Sequence, residues 1–233
     1  MARRARMIIP GVAHHVTQRG NRRERIFLED GDEQVYLDLL SRQLQRYGVA
    51  CWAYCLMPNH VHLILVPADE TGLTRAVGEA HRRYTGFSGA RGRWTGHLFQ
   101  GRFGSVAMDE DHLVAALRYV ALNPVKAGLV KRAEDWQWSS AAAHMAGKST
   151  PFVDVAPGLE RACDFAAFLA AVGDTDPRWS AVLKAEGAGW PIGAKEWIEQ
   201  LQAKHKRTLM PAKRGPKPKA ELASKAVEPD MFD

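Results

Sequence analysis

The chain has 233 residues, of which 46% are hydrophobic, and carries a formal net charge of +6 with an isoelectric point near 9.3. This composition can bury one good-sized core plus an appendage, because domains commonly run to about 100–200 residues. No apolar run reaches the roughly 18–20 residues of a membrane span, so we expect no membrane partner. The three cysteines show no paired pattern and no signal peptide is visible, which favours a reduced cytoplasmic setting.

The positive charge is clustered rather than spread. The clusters are Arg3, Arg4 and Arg6; Arg19, Arg22, Arg23 and Arg25; Arg75, Arg82, Arg83, Arg91, Arg93 and Arg102; and Lys204, Lys206, Arg207, Lys213, Arg214, Lys217 and Lys219. Any one of them could be an ordinary solvated face. Several together favour a polyanion, because neutralising phosphates releases counterions, and they predict nucleic acid as the partner and a nucleoid-associated protein.

Hydrophobic periodicity predicts alternating strands and helices in the first part of the chain. The predicted strands cover 13–19, 50–56, 60–66 and a region near 99–108, and the predicted helices cover 32–47, 72 to about 84, and a segment from Asp109 that Pro124 stops. The order β-α-β-β-α-β indicates an α+β fold with a ferredoxin-like, split βαβ antiparallel sheet.

The second part of the chain has a different pattern. Short helices are predicted around 160–172, 177–186 and 194–206, and from about residue 208 proline, lysine and glycine occur without apolar periodicity. We therefore divide the chain into a main domain at 1–150, a helical extension at 151–207 and a basic, flexible tail at 208–233.

Two histidines one residue apart begin the predicted strand at 60–66. Alternate residues of a strand share a face and stand roughly 6–7 Å apart, so His60 and His62 can lean toward one cation while Val61 turns away. The alternative is a pair of hydrogen-bonded core histidines, since two ligands alone rarely hold a divalent ion.

The predicted helix from Asp109 carries a second pair of polar side chains. Tyr119 and Asn123 are four residues apart and therefore share a face, which lies about 80–120° round from the apolar stripe. The stripe consists of Leu113, Leu117 and Val120. Alternatively, Tyr119 packs at the edge of the core and Asn123 ends the helix.

Together these motifs resemble those of a known family. The segments are TQRGN at 17–21, YCLMPNHVH at 54–62, QGRF at 100–103, RYVALNPVKAGLV at 118–130 and WQWSS at 136–140. In this order they resemble the HUH endonucleases, and within them the REP-associated tyrosine transposases, where REP stands for repetitive extragenic palindrome. The resemblance covers roughly residues 7–150.

The resemblance implies an HUH endonuclease fold and a metal-dependent enzyme that nicks and rejoins single-stranded DNA at REP hairpins. Tyr119 would become linked to the 5′ phosphate, and His60, His62 and Asn123 would bind Mg²⁺ or Mn²⁺. Related insertion-sequence enzymes commonly have glutamine at the position of Asn123. Two alternatives are a hairpin-binding regulator that does not cut, and a phosphodiesterase that activates water. We expect a monomer, with a dimer as the alternative.

The basic clusters and the motifs also predict DNA contacts. The predicted DNA-binding residues are Arg19, Asn21, Arg22, Arg82, Arg83, Arg91, Arg93, Arg102, Lys213, Arg214 and Lys217. Trp94, Phe99 and Phe103 alternate with arginines and are candidates for base stacking. The alternative is that these aromatic rings belong to the core.

Overall fold

The sheet has four strands, and the computed structural model describes residues 7–93, 95–171, 176–186 and 189–210. The strands are β1 (His14–Arg19), β2 (Val49–Met57), β3 (His60–Pro67) and β4 (Gly104–Ala107), in the order β2-β3-β1-β4. All three neighbouring pairs are antiparallel. This is the predicted split βαβ order, and the α+β fold class is confirmed.

The helices form between and after the strands. They are α1 (Asp32–Arg46), α2 (Gly72–Gly92), α3 (Glu110–Lys126), α4 (Ala141–Ala146), α5 (Ala156–Arg161), α6 (Phe165–Ala170), α7 (Pro177–Glu186) and α8 (Lys195–His205). Short 3₁₀ helices lie at Asn21–Arg23 and Ala133–Asp135. In the described part of the chain no helix has the length and apolarity needed to cross a bilayer.

Alternation along β3 divides the core into two layers. Val61, Leu63 and Leu65 belong to the layer under α1 and α2. Ile64 belongs to the opposite layer, which packs against α3 and α7. His60 and His62 share the parity of Ile64, so both histidines lie on the face that α3 and α7 cover.

Two helices are longer than the sequence predicts. The helix α2 does not end near residue 84 but continues to Gly92, because Ser88 is buried and Arg91 binds Asp32 of α1. Pro124 does not stop α3, which extends to Lys126. The amide of Ala127 still donates to the carbonyl of Asn123 at 3.0 Å, so the helix ends two residues beyond the proline, which itself has no amide donor.

Two other predicted elements are shorter or divided. The last strand covers only Gly104–Ala107, and Phe99 contributes a single bridge to Gly20. The helix predicted at 160–172 is two short helices, because the chain turns after α5 and Asp164 begins α6 by accepting a hydrogen bond from the amide of Ala167 at 2.9 Å.

The extension beyond residue 150 packs against the sheet rather than standing apart. Val153 and Val155 join the core layer under α1 and α2, while Trp179 and Val182 of α7 join the layer against α3. Ile192 forms a bridge to Met108 after β4. These contacts join the extension to the sheet in the described parts of the chain. The domain boundaries at 150 and 207 stay predictions.

Candidate active site

His60 and His62 lie side by side on β3, at the point where it pairs with β1. In the register of that pair, His60 is opposite Arg19 and His62 is opposite Thr17. Their ring centroids are 4.8 Å apart and nearly perpendicular. His60 is partly exposed and His62 is buried, so one ring faces the surface and the other forms the floor of the site.

The orientation of His60 is fixed by the turn before it. The side-chain amide of Asn59 donates from Nδ2 to the backbone carbonyl of Arg23 at 3.0 Å, so its oxygen points to the histidine. This oxygen accepts a 2.6 Å hydrogen bond from Nδ1 of His60. Because Nδ1 then carries the proton, Nε2 presents a lone pair, the form in which imidazole binds a metal.

His62 is held by a second histidine, His15 of β1. Its Nδ1 lies 3.0 Å from Nε2 of His15, and the two rings are stacked with centroids 5.2 Å apart. Burial, with smaller effects of His15, His60 and Arg19, places the pKa of His62 well below its usual value, so the ring is neutral. Its Nε2 is buried and has no hydrogen-bond partner in the described part of the chain.

Tyr119 reaches the same place from α3. Its ring meets His62 edge to face at 5.5 Å and stacks on Trp179 of α7 with centroids only 3.6 Å apart. The ammonium of Lys126, two turns along α3, lies 5.3 Å from the tyrosine ring. A phenol, two imidazoles and a cation therefore meet between β3, α3 and α7.

Asn123 lies one turn after Tyr119 on α3 and is buried. Its Nδ2 has no hydrogen-bond partner among the described residues. The nitrogen and oxygen of an amide have nearly the same shape, so a rotated amide would present its oxygen instead. No cluster of three histidine, cysteine or carboxylate side chains suited to a metal occurs in the described parts, so a third protein ligand would be of another type, such as the amide of Asn123.

A basic turn borders the site. Arg19 is exposed at the end of β1, opposite His60. Arg22 and Arg23 follow with φ of 53° and 64°, in the left-handed region that non-glycine residues seldom adopt. Hydrogen bonds hold this turn, including that from Asn59 to Arg23. The predicted DNA contacts Arg19, Asn21 and Arg22 are thus placed within the same surface as His60.

The other predicted DNA contacts have mixed surroundings. Arg82 and Arg83 are exposed on α2, and both bind Glu79 at 2.8 and 2.7 Å. Arg91 is bound through two nitrogens to buried Asp32, so its guanidinium joins α2 to α1 and the prediction for it loses support. Arg93 and Arg102 are exposed.

The proposed base-stacking residues are corrected by the structure. Phe99 and Phe103 are buried in the core layer under α1 and α2, where both rings contact His81. The alternative interpretation, that these rings belong to the core, is the right one for both. Trp94, Lys213, Arg214 and Lys217 lie outside the described residues.

Sequence reasoning missed His15, Lys126 and Trp179. For His15 the sequence does contain a signal. His14 and His15 are consecutive in a strand, so one of them must face the side of the sheet that carries His60 and His62. Nothing in the local pattern around Trp179 indicates its partner, which lies 60 residues earlier. The distance in sequence hides the contact.

Comparison with known proteins first defines the class. The family described as "Transposase IS200 like" matches residues 9–123. This segment contains both histidines, Tyr119 and Asn123, so the part of the chain that is similar to IS200-like transposases includes all four residues.

The relatives within that class are more particular. A Haemophilus influenzae protein whose name assigns it to the REP-associated tyrosine transposases is 27% identical over 135 residues, which are 49% of this chain and 76% of that protein. A solved structure of a REP-associated tyrosine transposase bound to a REP hairpin has a TM-score of 0.54 and 23% identity, covering 66% of this chain and 93% of the other. The predicted resemblance to REP-associated tyrosine transposases is confirmed, and the solved structure confirms the fold.

Proposed function

We propose that the chain nicks and rejoins single-stranded DNA at REP hairpins through a covalent 5′-phosphotyrosine on Tyr119. The observation that carries this proposal is the contact between the Tyr119 ring and His62, which brings a nucleophile and two ordered imidazoles into one cluster. The hairpin bound to the structural neighbour and the name of the Haemophilus influenzae relative support the choice of substrate.

The chemistry of Tyr119 follows from its phenol. Its Oη bonds to phosphorus and loses its proton to solvent, while the bond from phosphorus to the 3′ oxygen breaks and that oxygen takes up a proton. The phosphotyrosine keeps the energy of the phosphodiester, so a 3′ hydroxyl can later reverse the step without a nucleotide cofactor. Lys126 supplies positive charge beside the phosphate that Tyr119 would carry.

His60, His62 and Asn123 are the residues that would hold Mg²⁺ or Mn²⁺. The side chains fit such an ion, because Nδ1 of each histidine is engaged and Nε2 of His62 is buried with no hydrogen-bond partner among the described residues. When bound, the ion would polarise the phosphoryl group and orient the strand. Through the ion, the two imidazoles and the amide would hold the scissile phosphate beside Tyr119.

The exposed basic surface is the proposed DNA path. Arg19, Asn21 and Arg22 border the site, and the exposed side chains of Arg93 and Arg102 follow between α2 and β4. Such side chains bind phosphates and position the strand without reading its sequence. A monomer remains the proposed state.

A single substitution tests the nucleophile. Tyr119→Phe removes only the phenol oxygen, so we expect it to abolish both nicking of a REP hairpin oligonucleotide and the protein-linked DNA band on denaturing gels, with Mg²⁺ or Mn²⁺ present. Hairpin affinity should change less than about threefold, since the DNA contacts are elsewhere. Tyr47→Phe, at the end of α1 and outside the site, is the matched control and should cut normally.

The other outcomes separate the alternatives. Nicking that persists in Tyr119→Phe would exclude Tyr119 as the nucleophile, and nicking that persists without any protein-linked DNA would mean that water attacks. Tight hairpin binding without nicking or adduct in the unsubstituted chain would instead indicate a binding protein that does not cut.

A further inference from the structure

His15 is a buried histidine that has no part in the chemistry proposed above. Its ring is fully buried on β1, between His62 at 5.2 Å and the edge of Trp179 at 4.9 Å. Burying two imidazoles against each other costs desolvation that a pair of apolar side chains would avoid. The pair therefore needs a reason beyond packing.

The hydrogen bond between the two rings can run in either direction. A neutral imidazole has one N–H donor and one lone pair. If His15 donates, the proton of His62 is on its buried Nε2; if His62 donates from Nδ1, the proton of His15 is on Nδ1 and Nε2 of His62 keeps a lone pair. A cation at Nε2 of His62 requires that lone pair, so the proposed metal site requires the second direction.

We propose that His15 is a positioning residue that accepts the Nδ1 proton of His62 and thereby presents the Nε2 lone pair of His62 to the metal. The inference rests on the proposed metal site. Asn59 does the same for His60 through a 2.6 Å hydrogen bond, so each ligand has its own partner. Such outer partners fix the tautomer and the ring orientation of metal-binding histidines.

Metal affinity tests this role apart from cleavage. In a chain carrying Tyr119→Phe with a REP hairpin bound, free Mn²⁺ is titrated by electron paramagnetic resonance. His15→Leu removes the acceptor, and we expect Mn²⁺ affinity to fall by about 10–100-fold. His15→Gln keeps an acceptor oxygen near the position of Nε2 and should restore most of the affinity. Melting temperature and metal-free hairpin affinity are followed in both variants.

The comparison between leucine and glutamine decides the result. Unchanged Mn²⁺ affinity in both variants would overturn the inference, and equal losses would show that packing rather than the acceptor sets the affinity. If the starting chain shows no saturable Mn²⁺ binding, the metal site itself fails and the role of His15 with it. These failures are distinguishable, because only the last one concerns the starting chain.

A second measurement needs no variant of His15 and covers the case in which His15→Leu does not fold. Long-range proton–nitrogen correlation NMR reads which nitrogen of each imidazole carries the proton. We expect His62 as the Nδ1–H tautomer at a Mg²⁺ concentration that saturates the site. A proton on Nε2 of His62 under that condition would overturn the inference.

Discussion

Asp32, the first residue of α1, is a buried carboxylate that links two helices and a loop. It accepts hydrogen bonds from the amides of Leu28 and Glu29 and binds two nitrogens of Arg91 at 2.6 and 2.8 Å. Burial raises the pKa of Asp32, but the bonds from Arg91 and the two amides outweigh it and hold the pKa below its ordinary value of 3.8. The carboxylate is therefore charged at neutral pH.

This pKa shift makes a prediction about acid stability. A carboxyl group whose pKa is lower in the folded than in the unfolded chain stabilises the fold at pH values above the unfolded pKa of 3.8. This stabilisation is lost as the pH falls through the lower pKa of the folded chain. We expect Asp32→Asn to lower the free energy of unfolding by about 1–3 kcal/mol at pH 7, measured by urea denaturation, because bonds to a charged acceptor are lost. The difference should shrink below pH 3.8.

The neighbouring acid is the control for this measurement. Asp30 is exposed, so Asp30→Asn should stay within about 0.5 kcal/mol of the unsubstituted chain. A loss in Asp32→Asn that is the same at acidic and neutral pH would contradict the ionic role of Asp32.

Among single side chains, period and spacing predicted that His60 and His62 share one face of a strand. Residues two apart on a strand and four apart on a helix share a face by geometry alone, and the structure places His60 and His62 on the face that Tyr119 reaches. The partners of these residues were not predictable. His15 and Asn59 act through hydrogen bonds whose existence depends on the strand register and on the turn.

Helix and strand ends depended on contacts that local patterns do not contain. The sequence predicts that α2 ends near residue 84, yet the helix continues to Gly92, where Arg91 reaches Asp32 of α1. Pro124 predicts a stop, yet α3 continues to Lys126. In both cases tertiary packing outweighs intrinsic propensity.

The helix α7 makes the most consequential of these tertiary contacts. Trp179 is 7% exposed and stacks on Tyr119, so it anchors the extension to the site. We expect Trp179→Ala to lower the free energy of unfolding by about 3–5 kcal/mol, because it removes a large buried side chain. Chemical denaturation followed by circular dichroism measures the change.

The same helix offers a matched control. Leu183 is 42% exposed, and Leu183→Ala should cost less than about 1 kcal/mol. Equal effects of the two substitutions would contradict the packing of α7 against Tyr119.

Considered as one body, the chain brings its site together from four distant segments. His15 comes from β1, His62 from β3, Tyr119 from α3 and Trp179 from α7. The order of elements was sufficient to predict the sheet, since β-α-β-β-α-β has few compact arrangements. The covering of that site by the extension was not predictable, because it depends on how α7 packs across the sheet.

The most direct test of the proposed function identifies the atom that holds the DNA. The chain is incubated with a REP hairpin oligonucleotide and Mg²⁺ or Mn²⁺, the DNA is trimmed with nuclease, and the peptides are sequenced by mass spectrometry. We predict a nucleotide linked through its 5′ phosphate to the peptide that contains Tyr119. A linkage to another residue, or cleaved DNA with no linked peptide, would contradict the proposal that Tyr119 is the nucleophile.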